Sequence, residues 1–258
     1  MESSATSPEA VATEMSFPSA PVLEICAYNI QSAMIAQRAG AHRVELCASA
    51  PEGGITPSLG TLQLAREKLS IQLYPIIRPR GGDFLYDEEE WQIIHRDILL
   101  CKSIGCEGIS TGVQLADGHI DTDGMKRIVE WAYPMFVTCH RVFDSTPDPF
   151  RSLEELISCG CERILTSGHQ PAAPQGAPLL KQLIEVAESR IIIMPGAGIR
   201  ASNIRQLKQN TGANEFHSSA KKLAQSAVTY HNPSIRDTGD VFMADEEEIR
   251  KILSELAS

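Results

Sequence analysis

Eight short apolar runs alternate strictly with eight segments of helical period, and this alternation limits the fold more than any other feature. The runs are 22–26, 43–47, 72–78, 108–113, 136–141, 163–167, 191–195 and 215–219. The helical segments are 32–39, 59–68, 89–103, 123–131, 153–158, 178–188, 203–208 and 245–256. Strands separated by helical crossovers pair in parallel, because only a long connection returns the chain to the same end of the sheet. Eight such units in 258 residues is the count of a single α/β domain closed as a (β/α)8, or TIM, barrel. An open doubly wound sheet is the alternative.

A repeated phrase favours closure. Gly40-Ala41-His42-Arg43-Val44-Glu45, Gly105-Cys106-Glu107-Gly108-Ile109-Ser110, Gly160-Cys161-Glu162-Arg163-Ile164-Leu165 and Gly212-Ala213-Asn214-Glu215-Phe216-His217 open strands 2, 4, 6 and 8. Each glycine stands where a helix ends in a left-handed cap, a conformation that favours a residue without Cβ. A unit that recurs at every second strand fits a ring. Side chains alternate across a strand. Val44, Ile109, Ile164 and Phe216 therefore face the helices, while Glu45, Ser110, Leu165 and His217 face the axis. The same phase turns Glu24, Cys26 and Cys47 inward.

Hydrophobic residues make up 43% of the chain and charged residues 22%, the balance of a globular protein. No apolar run approaches the roughly 20 residues needed to span a bilayer. The net charge of −10 argues against sequence-blind binding to nucleic acid or an anionic membrane surface. Seven cysteines, an odd number with no secretory signal before them, fit free thiols in the cytoplasm. Residues 1–20 carry three glutamates and neither Lys nor Arg. They read as an acidic, disordered tail ahead of a barrel domain over 21–258.

Barrel active sites form at the C-terminal ends of the strands. Reading off those ends brings Glu24, Glu45, Arg78, His140, Asp144 and His217 together as candidate catalytic residues. His140 is the leading acid/base candidate, since imidazole titrates near neutrality, with Asp144 placed to orient it. Arg78 and Arg80 can clamp a carboxylate or phosphate. Gly196 and Gly198 after strand 7, with Ser218 and Ser219 after strand 8, form the pair of loops that binds phosphate in many barrels. The structural alternative is a self-satisfied ion-pair network, such as Glu24 or Glu45 with Arg78, and plain tight turns at the glycines. No lysine falls on a barrel strand, which argues against Schiff-base chemistry there. A divalent metal held by Glu24, Glu45, His140 or His217 is a further option. The segment 221–244 has no clear period and leaves the functional mouth, as a lid or as a plain crossover.

Cys26 and Cys47 lie at matching depth on neighbouring strands, which run about 4.8 Å apart. Such a soft pair suits Cu(I), but with no C-x-x-C spacing and no Met-rich run the residues alone favour two small buried apolar groups.

Several phrases together carry a resemblance: Leu23-Glu24-Ile25-Cys26, Arg43-Val44-Glu45-Leu46-Cys47, Glu52-Gly53-Gly54-Ile55-Thr56-Pro57-Ser58, Arg78-Pro79-Arg80-Gly81-Gly82-Asp83-Phe84, His140-Arg141-Val142-Phe143-Asp144, Leu165-Thr166-Ser167-Gly168 and His217-Ser218-Ser219. Over about residues 21–219 the chain closely resembles the copper homeostasis protein CutC family. The resemblance implies a cytoplasmic TIM barrel that handles copper and forms a dimer or higher homo-oligomer, with Cys26 and Cys47 as Cu(I) ligands. The mouth residues themselves suggest another function, an enzyme of lyase or isomerase type acting on a small anionic or phosphorylated metabolite.

Overall fold

Eight parallel strands ring a common axis in the computed structural model, which describes residues 20–230, 232, 234 and 241–258. They are β1 (Val22–Ala27), β2 (Arg43–Leu46), β3 (Gln72–Pro75), β4 (Gly108–Thr111), β5 (Phe136–Cys139), β6 (Arg163–Thr166), β7 (Ile192–Pro195) and β8 (Glu215–Ser218). Ladders run in the orders β3-β2-β1-β8 and β4-β5-β6-β7. The two halves join where Ile76 bridges Ser110 in parallel and the Thr111 hydroxyl donates to the Ile77 carbonyl at 2.9 Å. On the other side β7 packs beside β8. The outer helices among the described residues are α1 (Ile30–Ala39), α2 (Leu59–Lys68), α3 (Glu88–Ser103), α4 (Thr122–Ala132), α5 (Pro149–Cys159), α6 (Ala173–Ala187), α7 (Ile204–Thr211) and α8 (Glu246–Leu256). The chain is thus a (β/α)8 barrel, as the alternation requires. The acidic tail expected over 1–20 lies outside the described residues but for Ala20.

The four repeat glycines all adopt the left-handed conformation expected of them, with φ between 75° and 98°. Strand phase also follows the reading. Val44, Ile109, Ile164 and Phe216 sit in the apolar layer between strands and helices, with Leu23 and Ile25.

Several boundaries differ for local reasons. Six of the eight barrel strands end earlier than their apolar runs; β1 extends one residue past its run and β7 ends with it. Pro75 has no N–H to give toward β4, so that contact begins only at the Ile76–Ser110 bridge, and after β5 the His140 side chain accepts from Val142 N–H and turns residues 141–145 into a 3-10 segment. Helix α5 begins four residues before the expected 153, because Asp148 caps it and Pro149 takes the first position. Helix α6 holds Pro178, expected to start it, in its interior. Segment 221–244 opens and closes with strands β9 (Lys221–Ala224) and β10 (Val241–Ala244), which pair antiparallel. Part of the connection between them lies outside the described residues.

Inward side chains stack in layers supplied alternately by even and odd strands, the arrangement that fills a barrel. The lowest layer is unusually polar: Arg43, Arg163 and Glu215, with Gly108 completing the ring. A Cβ at Gly108 would lie 2.4 Å from the Tyr74 ring, so the missing side chain makes room for Tyr74. Both guanidinium groups sit over that ring, at 4.9 Å for Arg43 and 5.3 Å for Arg163.

Candidate functional site

The polar floor fixes the site above it. Arg43 Nε donates to Glu24 and its Nη2 donates to Glu215 at 2.7 Å; Arg163 Nε donates to the same Glu215 at 3.0 Å. All four groups are buried. Burial pushes the Glu24 carboxyl up, but the charge of Arg43 and the hydrogen bond from His217 outweigh it and hold Glu24 ionised, well below the usual carboxylate range. Glu24 then presents its other oxygen to His217 Nδ1 at 2.6 Å. The self-satisfied network expected for Glu24 exists, but its partners are Arg43 and His217 in place of Arg78.

Above this floor the C-terminal ends of β1, β2 and β8 bring Cys26, Glu45, Cys47 and His217 together. The Sγ atoms of Cys26 and Cys47 stand 3.7 Å apart, and Cys47 Sγ lies 3.4 Å from Glu45 Oε2. His217 Nε2 lies 3.8 Å from the same Glu45 oxygen. The hydrogen bond from Cys47 pulls the Cys26 thiol well below its ordinary range against the effect of burial, with help from His217 and the Tyr28 hydroxyl. Burial and the neighbouring Cys26 push Cys47 the other way, so it stays protonated. Burial lowers His217, yet its bonds to Cys26 and Glu24 overcome that and keep it cationic. Glu45 is pushed up to about 8, by burial first and then by the charge of Cys26. Two carboxyls on adjacent strands thus hold opposite protonation states near neutrality, a division that supports acid/base chemistry.

Cys26, Glu45 and His217 line a pocket of about 400 Å³, with Cys47 behind them. Arg78 and His140 line it as well. The loop after β2 positions Arg78: the Glu52 and Gly54 carbonyls accept from Nη1 at 2.7 and 3.0 Å, and the Gly82 carbonyl accepts from Nη2 at 2.7 Å. Phe84 lies under the guanidinium at 4.8 Å and beside the His140 ring at 4.8 Å. His140 Nδ1 accepts from Val142 N–H at 3.2 Å, so the proton of the neutral ring sits on Nε2. Burial, then the charge of Arg78, lowers His140 to about 3. It is therefore a neutral donor at physiological pH and a poor base, a change from the acid/base role its sequence position suggests.

Other expected residues fall elsewhere. Asp144 does not touch His140. It accepts from the Thr166 and Ser167 hydroxyls and from the Ser167 and His169 N–H groups, and pairs with Arg141. Arg80 does not line the pocket; Glu90 and Asp83 engage it on the flank of the loop. Gly198, Ser218 and Ser219 line the pocket. Gly196 lies beneath, where a Cβ would meet Leu165 Cδ1 at 2.4 Å. The Ser218 hydroxyl ties the two loops together by donating to the Ile199 carbonyl at 2.8 Å. Tyr28, Arg200 and Lys221 also line the pocket, and sequence reasoning misses all three. Tyr28 shares the inward phase of Cys26 one step beyond it, a signal open to reading; Lys221 arrives on β9, whose position no periodicity gives. Among the described residues the side chains grouped closely enough to hold a metal are Cys26, Glu45 and Cys47, all buried, with ligand atoms within 4.8 Å of one another. Glu24 and His217 are instead committed to each other, and His140 stands outside the group.

Fold and pocket together define a (β/α)8-barrel protein with a buried thiol pair at the C-terminal ends of β1 and β2. The model of the CutC family matches residues 21–222. A CutC family protein of Parabacteroides distasonis is 47% identical over 230 residues, covering 89% of this chain and 95% of the relative. The copper homeostasis protein cutC homolog of Mus musculus is 43% identical over 214 residues, covering 83% and 79%. A crystal structure titled as a copper homeostasis CutC from Streptococcus agalactiae aligns with a TM-score of 0.73 at 32% identity, covering 77% of this chain and 98% of that one. The chain belongs to the CutC family. Phosphoribosylanthranilate isomerase of Thermotoga maritima aligns with a TM-score of 0.57 at 13% identity and shares the barrel alone. No helix among the described residues is long and apolar enough to cross a membrane.

Proposed function

We propose that this protein serves copper homeostasis by binding Cu(I) between Cys26 and Cys47. The observation that carries this reading is the pair of buried sulfurs 3.7 Å apart, one of them favoured as thiolate. Thiolates are the ligands Cu(I) prefers, and Glu45 stands beside them, within 4.8 Å, as a third ligand group. Binding releases the Cys47 proton, so affinity rises with pH. The names of the mouse relative and the streptococcal structure support a copper role. All seven cysteines are free and buried, which suits a reducing cytoplasm. The test is anaerobic titration of the reduced protein with Cu(I) against a competing chelator. One tight equivalent is expected, lost in Cys26→Ser/Cys47→Ser. Retention of that equivalent in the double variant would refute the reading.

A second reading, an enzyme of lyase or isomerase type on a small anionic metabolite, is favoured by one observation: Glu45 titrates near 8 inside the pocket while Glu24 remains ionised.

A further inference from the structure

Three cations line the pocket without a carboxylate partner among the described residues: Arg78, Arg200 and Lys221. Arg78 is the most informative. It is only 6% exposed. Three of its N–H groups serve carbonyls, which are dipoles and not counter-charges, and Nε has no partner among the described residues. A buried guanidinium without an anion is costly. His140, 4% exposed, adds a second unsatisfied donor, because its protonated Nε2 also lacks a partner among the described residues. The loop after β7 adds main-chain donors. Ala197 and Gly198 both hold φ of 71°, in the left-handed region, at the pocket lining. The N–H of Gly196 is taken by the Thr166 carbonyl at 2.9 Å, whereas those of residues 197–199 bond to no described residue. Keeping Ala197, which has a Cβ, in the left-handed region costs strain that marks a functional loop.

We propose that the cationic lining of the pocket, Arg78, His140, Arg200 and Lys221 with the 197–199 main chain, is a subsite for the phosphate dianion of a small phosphate monoester. The donors come from several directions and exceed what the two oxygens of one carboxylate accept, whereas a phosphate offers three oxygens and up to two charges. A phosphate alone underfills about 400 Å³, which matches the size of a small-molecule site. The remaining space leads to Cys26, Glu45 and His217. The subsite deepens the second reading above by naming its substrate class, and it does not depend on copper.

The experiment is calorimetric titration of the metal-free, reduced protein with glycerol 2-phosphate and with inorganic phosphate. Lys221→Met and Arg200→Met are the decisive variants. Arg78 also holds a loop in place, whereas the Lys221 ammonium makes no hydrogen bond among the described residues and only faces the Tyr28 and Phe242 rings, and Arg200 makes a single side-chain bond there, to the Lys221 carbonyl. Saturable millimolar binding is expected, weakened about tenfold by each substitution and restored by Lys221→Arg. Absence of binding, equal binding by the Lys221→Met/Arg200→Met double variant, or equal displacement by acetate overturns the proposal. Cu(I) titration of the same variants reports separately on the thiol site, so failure of one leaves the other standing.

Discussion

Replacing Arg43 with alanine lowers the folding stability by about 3–5 kcal/mol, the cost of leaving buried charges without their partner. Two carboxylates depend on this guanidinium. Glu24 and Glu215 are both almost fully buried, and Arg43 bonds to each. Glu215 keeps Arg163 at 3.0 Å and Glu24 keeps His217 at 2.6 Å, so the network is broken but not emptied. A loss of this size is a large share of the about 5–15 kcal/mol that holds a domain folded. Urea unfolding measures it. Adding Glu24→Gln to Arg43→Ala should recover part of the loss, because the stranded charge is gone; additive losses would show that the pair is not coupled. A single-variant loss below about 1 kcal/mol would mean that the floor of the barrel is not held by this network.

His140 makes the protein acid-sensitive in a way that one substitution removes. Its folded pKa is depressed from 6.5 to about 3. Above pH 6.5 the ring is neutral in both folded and unfolded chains and contributes no pH dependence. As the pH falls below 6.5 the unfolded chain takes up a proton that the folded one refuses, and stability falls until the folded ring also titrates near 3. Between pH 7.5 and 4.5 this one group should cost about 3 kcal/mol. The His140→Asn substitution keeps a side-chain acceptor for the Val142 N–H and removes the titrating ring. The stability difference between wild type and variant should therefore shift toward the variant by about that amount on acidification. A difference that stays constant across the range would contradict the burial assigned to His140.

Strand phase makes much of the site legible. Alternation alone places Cys26, Glu45, Cys47 and His217 inward; Cys26, Glu45 and His217 line one pocket, and Cys47 stands beside Cys26 and Glu45. The same rule also points Arg43, Arg163 and Glu215 inward, each the fourth residue of the repeated phrase. Strand ends, where barrels do chemistry, draw attention away from these three, because they lie on the floor, where this barrel stores charge. Loops are less legible. Arg80 and Asp144 lie close to Arg78 and His140 in sequence, but short turns send Arg80 to Glu90 and Asp144 to Ser167. Such directions are set by tertiary partners that periodicity does not encode. Lys221 enters the pocket for a similar reason: β9 is placed by its pairing with β10, whose residues follow only after a long connection.

X-ray absorption at the copper K-edge of the Cu(I)-loaded protein tests the central claim most directly. The account predicts two sulfur neighbours in the first shell of copper, replaced by lighter atoms or lost with the metal in Cys26→Ser and in Cys47→Ser. A first shell of nitrogen and oxygen, or a sulfur shell unchanged by both substitutions, would contradict it.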